Sequence, residues 1–214
     1  MRENLRAIMF ILLLLWQAVW VLNKTILADE VDDKVEALLD EERGRWRDLN
    51  VPFSDGQLLH DLIVERGFKR GFEIGTSTGH STVWIAWAMR KTGGKLITVE
   101  IDGERQAVAK RNIEQIGLGD YVEFLLGDAH ELTPAQTGAF DFVFSDADKD
   151  WYVQYFKDLY PKLTPNACFT AHNISGRWGR QGWVREYLEY VEAIPDMLTR
   201  VDSSGGGVAI TCKR

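Results

Sequence analysis

The sequence predicts an α/β fold built on a mostly parallel sheet. Between residues 71 and 172, short apolar runs of strand length alternate with longer segments of helical period, a pattern typical of parallel strands joined by crossover helices. Residues 197–213 instead hold two apolar runs separated by "SSGGG", which predicts a terminal antiparallel hairpin. A chain of 214 residues suits one ordinary domain with a sizeable core.

Two helices are predicted before the first strand. Apolar residues recur at near-helical spacing between residues 31 and 49, and the second helix is expected to begin with Ser54 or Asp55 as its N-cap. Seven strands are then predicted, at residues 71–74, 95–100, 121–126, 140–145, 167–172, 197–202 and 207–213. Helices are predicted at residues 80–91, 103–117, 151–163 and 181–194, with a short helix or a loop at 127–139.

Composition narrows the classes of function. The formal charge of −7 argues against a sequence-independent grip on nucleic acid, because such a grip neutralises phosphates with many basic side chains. The two cysteines, Cys168 and Cys212, are too few for a disulfide scaffold and lack the spacing of a metal site. Both are predicted to be small apolar residues within strands.

The loop "EIGTSTGHST", residues 73–82, joins the first sheet strand to the next helix. Gly75 and Gly79 permit a tight turn that lets a ligand approach the backbone at a helix start. The loop is neither a P-loop nor G-x-G-x-x-G, since Ser77 stands at the second glycine. Glu100 ends the second strand, where an acid can accept ribose hydroxyls, and Asp128 follows the third strand. These strand ends predict a cofactor that contains adenosine.

Five segments together resemble the class I S-adenosylmethionine-dependent O-methyltransferases, particularly the caffeoyl-CoA and catechol O-methyltransferase group. They are "VPFSDGQLL", "FEIGTSTGHSTVWIA", "ITVEID", "FDFVFSDADKDWY" and "GGVAITCKR". The resemblance implies a Rossmann-like methyltransferase fold with a seven-stranded sheet and helices on both faces. It implies S-adenosylmethionine as cofactor, with Glu100 at the ribose and Asp128 on the adenine side. The remaining cofactor-binding residues that it implies are Glu73, Gly75, Ser77, Gly79, Ser81 and Asp146.

Acids and a lysine follow the fourth strand in "FSDADKDWY", residues 144–152. Because the fourth and fifth strands are neighbours in such a sheet, Asp146 can converge with His172 and Asn173. Such clusters bind divalent cations, and the resembled family holds one there with two aspartates and an asparagine. The resemblance makes Lys149 a general base or a stabiliser of the acceptor oxyanion. Asp148 is expected to be an ordinary acid at a helix N-terminus.

His172 departs from the pattern of the family, which has aspartate at this position. Imidazole suits zinc, iron or nickel better than magnesium or calcium. Three alternatives follow: a changed metal, a weakened magnesium site, or no metal, with His172 acting as a catalytic base.

The resemblance predicts methyl transfer to a hydroxyl of a small, aromatic, catechol-like acceptor. The candidate catalytic residues are Lys149, Asp146 and His172. The candidate walls for a planar acceptor are Trp151, Trp178 and Trp183. One alternative is an NAD-type oxidoreductase, which Ser77 and the "DADK" segment disfavour. Another is a protein that binds the cofactor without turnover. A homodimer is left open.

The segment "AIMFILLLLWQAVWVL", residues 7–22, is interrupted only by Gln17. This length is long for the apolar part of a signal peptide and short for a comfortable membrane span. Residues 1–28 are therefore predicted to be a signal or membrane anchor, which makes the protein membrane-associated or exported, with the side of the membrane left open. Residues 29–214 form the predicted methyltransferase domain, in which helices within residues 29–67 cover the cleft.

Overall fold

The computed structural model describes residue 9, residues 30–45 and residues 49–214. The chain divides into two compact units, residues 1–41 and 42–214. In the first unit, residues 30–41 form helix α1. The predicted signal or anchor, residues 1–28, lies outside the described residues except for Met9. The prediction of membrane association is corrected here, because no helix in the described part is long and apolar enough to span a bilayer.

The second unit contains the predicted sheet. Its strands are β1 (Arg70–Ile74), β2 (Lys95–Glu100), β3 (Val122–Leu126), β4 (Phe140–Ser145), β5 (Leu163–His172), β6 (Met197–Asp202) and β7 (Val208–Lys213). Its helices are α2 (Phe53–Arg66), α3 (His80–Thr92), α4 (Gly103–Gln115), α5 (Ala129–Ala135), α6 (Tyr152–Leu159) and α7 (Gly182–Glu192). The strand order is β3-β2-β1-β4-β5-β7-β6.

Strands β1 to β5 are parallel, and β7 pairs antiparallel with both β5 and β6. The predicted mostly parallel sheet with a terminal hairpin is therefore confirmed. The hairpin inserts its second strand next to β5, so the loop after β6 lies beside the carboxyl end of β5.

Apolar cores lie on both faces of the sheet, as the alternation of side chains along β4 illustrates. Val143 packs on one face with residues of α6 and α7, including Phe156 and Tyr187. Phe142 and Phe144 point to the other face and pack with residues of α2 and α3. Because successive side chains of a strand face opposite ways, the apolar run at residues 142–144 needs helices on both faces of the sheet.

Some predicted boundaries differ from the structure. The segment predicted as one helix over residues 151–163 is a shorter α6 followed by a 3₁₀ turn that contains Pro161, since proline lacks the backbone N–H that would continue the α-helical hydrogen bonds. Helix α2 begins at Phe53 after Pro52 and has no side-chain cap. The cap predicted at Ser54 or Asp55 is therefore wrong, and Asp55 is buried instead.

The two cysteines form a disulfide, which corrects the prediction that they are separate apolar residues. Cys168 of β5 and Cys212 of β7 lie directly opposite each other in the antiparallel pair, and their sulfurs are bonded. The sequence could not reveal the bond, because it depends on the insertion of β7 beside β5.

Candidate functional site

The candidate site lies at the carboxyl ends of the parallel strands, where the strand order reverses between β1 and β4. Ligands bind at such switch points in open α/β sheets. A cavity of about 880 Å³ opens there, a size typical of a cofactor site. Most of the predicted site residues line it: Gly75, Ser77, Ser81, Glu100, Asp128, Asp146, Lys149, His172 and Asn173. Glu73 and Gly79 are not part of its lining.

The glycine loop passes tightly against the turn that follows β4. Gly75 has φ +99°, and a Cβ atom there would lie 3.1 Å from the backbone nitrogen of Ala147. Gly79 serves helix packing, since its added Cβ would lie 3.0 Å from the Cβ of Ala109 in α4. Of the two glycines, Gly75 shapes the cavity and Gly79 lets α3 approach α4.

Glu100 organises the cavity wall at the end of β2. One carboxylate oxygen accepts the backbone N–H of Ser77 at 2.6 Å, and the other accepts those of Ile101 and Asp102 at 3.0 Å each. Arg105, which sequence reasoning missed, lines the cavity and donates from Nη1 to Ser77 Oγ at 3.1 Å. Arg105 is one of several charged residues in a polar helix, so the sequence pattern did not distinguish it as a site residue.

The end of β3 contributes Asp128 and an unexpected histidine. Asp128 caps α5 by accepting the N–H of His130 at 2.9 Å. The ring of His130 stacks on Trp151 with centroids 4.2 Å apart, and its Nε2 lies 3.3 Å from Asp148. Asp148 caps the 3₁₀ turn at Lys149–Trp151, as expected, and also lines the cavity. A histidine in a segment predicted as loop or short helix carried no signal.

Glu73 lies behind the glycine loop rather than in the cavity. Its Oε2 accepts hydrogen bonds from the hydroxyls of Thr82 and Thr98, each at 2.6 Å. Burial raises the pKa of Glu73 to about 7, although these hydrogen bonds lower it. This carboxyl therefore ties α3 to β2 beneath the loop.

Four charged side chains, Asp55, His172, Asp146 and Lys149, form a continuous row that we call the ionic chain. Lys149 Nζ donates to Asp146 Oδ1 and, at 2.8 Å, to the hydroxyl of Tyr152. The Nδ1 of His172 lies 3.1 Å from Asp146 Oδ2, and its Nε2 lies 2.8 Å from Asp55 Oδ2. The structure thus brings together the three predicted catalytic residues and adds Asp55.

Asp55 reaches this row from the first turn of α2. The residue is only 1% exposed and also accepts the N–H of Gly206 at 2.8 Å. A Cβ atom on Gly205 would lie 1.8 Å from Asp55 Oδ1, so the loop between β6 and β7 lies directly against this carboxylate. The contact spans 117 residues to His172, and nothing in the local sequence signals it.

The ionic chain alternates in charge. Burial lowers the pKa of His172, but the charge of Asp146 and the hydrogen bonds to Asp146 and Asp55 raise it to about 9. Burial raises the pKa of Asp146, but the charges of His172 and Lys149 lower it to about 2. At neutral pH Asp146 is therefore ionised and His172 carries a positive charge.

The predicted metal ligands Asp146, His172 and Asn173 do not fit a divalent cation. Histidine binds a metal through an unprotonated nitrogen, and here each ring nitrogen faces a different carboxylate. Both carboxylate oxygens of Asp146 are paired as well, one with Lys149 and one with His172. Within the described residues, no group of three or more His, Cys, Asp or Glu side chains could hold a metal ion.

The predicted aromatic walls lie in different places. Trp178 lines the large cavity and also a smaller one of about 310 Å³, which His172 and Asn173 line too. Trp151 covers His130, while Trp183 packs edge-to-face on Tyr152 with centroids 5.4 Å apart. Of the three tryptophans, Trp178 is the one in the lining of both cavities.

Comparison with known proteins agrees with this geometry. The O-methyltransferase family matches residues 28–173. A catechol O-methyltransferase of Niastella koreensis is 35% identical over 130 residues, which cover 59% of this chain and 58% of that protein. A caffeoyl-CoA O-methyltransferase of Petroselinum crispum is 35% identical over 120 residues, or 53% of this chain and 49% of that protein. The chain thus spans about half to three-fifths of these relatives' lengths.

Solved structures share the fold. The O-methyltransferase TomG of Streptomyces achromogenes, in complex with S-adenosylmethionine, has a TM-score of 0.72 at 26% identity, covering 84% of this chain and 89% of that one. An O-methyltransferase of Bacillus cereus has a TM-score of 0.74 at 23% identity, covering 85% of this chain and 91% of that one.

Proposed function

The chain belongs to the O-methyltransferase family, and we propose that it transfers the methyl group of S-adenosylmethionine to a hydroxyl of a small aromatic acceptor. The observation that carries the proposal is the cavity at the switch point, where the glycine loop and the strand-end acids share one wall with Lys149. The catechol and caffeoyl-CoA names of the relatives support the acceptor class.

In this proposal the cofactor lies along the carboxyl ends of β1, β2 and β3. Gly75, Ser77 and Ser81 hold the methionine end, and Glu73 acts from behind the loop by fixing it. Glu100 accepts the ribose hydroxyls, since a carboxylate has about four acceptor positions and the three backbone N–H groups leave capacity. The adenine lies on the side of Asp128, where we add His130 to the predicted residues.

The acceptor occupies the smaller cavity beside Trp178 in this proposal. Its hydroxyl oxygen attacks the sulfonium methyl in line, so that an O–C bond forms, the C–S bond breaks and the hydroxyl proton is released to water. Such a reaction depends chiefly on alignment of the two reactants. Lys149 lines the large cavity, and in this proposal its charge stabilises the developing oxyanion of the acceptor.

Of the three alternatives for His172, we propose the absence of a metal, but without the role of catalytic base for His172. The support is that both ring nitrogens and both Asp146 oxygens have partners within the protein. The same contacts argue against His172 as the base, because each of its ring nitrogens already faces a carboxylate of the protein. His172 holds Asp146 in place instead.

The first prediction concerns Lys149. Lys149→Ala should lower kcat for methylation of catechol by about 10²–10³-fold, the usual effect of removing one group that stabilises an oxyanion. Transfer from S-adenosylmethionine labelled in the methyl group, assayed with a panel of phenolic acceptors, measures the effect. Lys157→Ala is the matched control, since this lysine lies exposed on α6 and is not part of the cavity lining.

An unchanged kcat in Lys149→Ala would contradict the assigned role. Binding of the cofactor with no methylation of any acceptor in the panel would favour the alternative of a protein without turnover.

A further inference from the structure

We propose that Asp55 is a positioning residue for the methyl transfer, which fixes His172, and through it Asp146 and Lys149, so that transfer needs no divalent cation. The inference rests on the proposed function, which it deepens by naming the group that replaces the metal. The sequence offered Asp55, within the segment "VPFSDGQLL", only as a candidate N-cap, and gave it no part in the site.

The position of Asp55 is unusual for an acid in the first turn of a helix. Such acids are normally solvated, where they benefit from the helix dipole, but Asp55 is 1% exposed. A buried carboxylate is costly unless it is paired and hydrogen bonded. Asp55 meets this condition with His172 Nε2 and the N–H of Gly206, both at 2.8 Å.

The second carboxylate fixes the imidazole ring. With Asp146 alone, the ring could turn about its Cβ–Cγ bond and move Nδ1 away from Asp146. The bond from Nε2 to Asp55 removes this freedom, because it leaves only Nδ1 facing Asp146. Both nitrogens then face carboxylate oxygens, so both are expected to carry protons, since an unprotonated nitrogen would direct its lone pair at an oxygen lone pair.

The fixed imidazole ring in turn positions the ammonium group of Lys149 at the cavity. His172 takes one oxygen of Asp146, so the other oxygen is directed to Lys149. Lys149 is held from a second side by the hydroxyl of Tyr152, which itself donates to the carbonyl of His172 at 3.3 Å. The position of the lysine charge therefore depends on a closed set of contacts that begins at Asp55.

The same contacts leave neither ring nitrogen of His172 open to a cation. A metal ion bound to Asp146 and His172 would have to break the bond between them and displace a proton from the ring. The two cations of the ionic chain, His172 and Lys149, already balance the two carboxylates. Positive charge beside the reacting oxygen thus comes from the protein itself.

The loop between β6 and β7 gives independent support. Its glycines lie so close to Asp55 and His172 that a Cβ atom on Gly205 would lie 1.8 Å from Asp55 Oδ1. On Gly206 it would lie 2.8 Å from His172 Nε2. Because neither position has room for a side chain, the loop is shaped to cover the Asp55–His172 contact and exclude water from it.

The test uses the full chain with Asp55→Asn, which keeps the size of the side chain and removes its charge. Three quantities are measured: kcat in the presence and absence of EDTA, the calorimetric Kd for S-adenosylmethionine, and the ring-nitrogen NMR signals of His172 after ¹⁵N-histidine labelling. Glu65→Gln, an exposed acid on the same helix, is the matched control.

We expect wild-type kcat to be unchanged by EDTA. Asp55→Asn should lower kcat at least about tenfold, by analogy with outer partners that orient a ligand histidine, while the Kd for the cofactor changes little at a temperature where the variant is folded. Wild-type His172 should show two protonated ring nitrogens, and Asp55→Asn should lose this signature. Glu65→Gln should behave as wild type.

The inference is overturned if EDTA abolishes activity and Mg²⁺ restores it, or if Asp55→Asn retains full kcat. It is also overturned if kcat and cofactor affinity fall together in the folded variant, since that indicates a general loss of the site rather than a loss of positioning. If the variant does not fold, the wild-type spectrum decides, because one unprotonated ring nitrogen would contradict the geometry. A wild-type protein that binds the cofactor but methylates no acceptor would end the proposed function, and the spectrum would still test the contact.

Discussion

His172 places a positive charge where the protein excludes water. The residue is 3% exposed, and an isolated buried charge is strongly unfavourable. Two carboxylates compensate it, so the arrangement is stable only while both remain. Removing one partner of a buried ion pair typically costs about 3–5 kcal/mol. At the scale of single residues, the site and the stability of the protein therefore depend on the same contacts.

This coupling predicts a pH dependence of stability. The folded pKa of His172 is about 9, above the ordinary value of 6.5. Its contribution is therefore complete below about pH 6.5 and is lost as the pH rises through about 9. The difference between the two pKa values corresponds to roughly 3 kcal/mol. Melting temperatures of wild type and His172→Gln, measured from pH 5.5 to 9.5, should differ most at low pH and converge at high pH.

Glu73 also titrates near neutrality, since burial raises its pKa to about 7, but it does so in both proteins and cancels in the difference. A difference between the two melting curves that stays constant across this range would contradict the assigned charge of His172.

At the scale of elements, the disulfide joins β5, the strand that carries His172, to β7, the second strand of the terminal hairpin. Cys168 lies in β5 and Cys212 in β7, separated by 44 residues of sequence. Cross-links that close loops of this length typically stabilise a protein by about 2–4 kcal/mol, chiefly by restricting the unfolded chain. The bond therefore contributes to holding the hairpin against the parallel part of the sheet.

We expect no free thiol in the denatured, unreduced protein and two after reduction. Reduction should lower the melting temperature, and the double variant Cys168→Ala/Cys212→Ala should be insensitive to reductant. Thiol titration and thermal denaturation followed by circular dichroism measure both effects. Two reactive thiols in protein kept without reductant would show that the bond does not form.

The elements themselves were largely predictable, whereas their long-range contacts were not. The alternation of apolar runs correctly predicted the strands and most crossover helices, because burial on a sheet imposes a period that the sequence displays directly. Asp55 illustrates the limit. Its local sequence is that of a helix start, and its burial results from packing against a loop 151 residues away.

The site shows the same division. The lining of the cavity includes Gly75, Glu100 and Asp128, all of which the sequence placed at strand ends. Strand ends converge at one edge in any parallel sheet, so this much follows from topology. The burial of Asp55 against Gly206 and the disulfide depend on the position of β7, which the hairpin pattern does not specify.

At the scale of the whole molecule, cofactor binding should stabilise the fold. A ligand that binds only the folded state adds about 2.7 kcal/mol at one hundred times its Kd, which for a unit of this size raises the melting temperature by about 5–10 °C. S-adenosylmethionine should give this shift, and NAD should not. Glu100→Gln should reduce the shift, whereas Glu104→Gln, an exposed neighbour, should leave it unchanged. A shift with NAD alone would favour the oxidoreductase alternative.

The contact between Asp55 and Gly206 also bears on the order in which the molecule folds. Its two residues are 151 positions apart, and closing so long a segment carries an entropic cost that local contacts do not. Strands β1, β2 and β3, whose ends carry Gly75, Glu100 and Asp128, lie close together in the chain, so they can pair early. The ionic chain is complete only after the hairpin has inserted β7 beside β5. Methyl transfer, which in our proposal needs Lys149 held in place, would thus report the completion of this long-range contact.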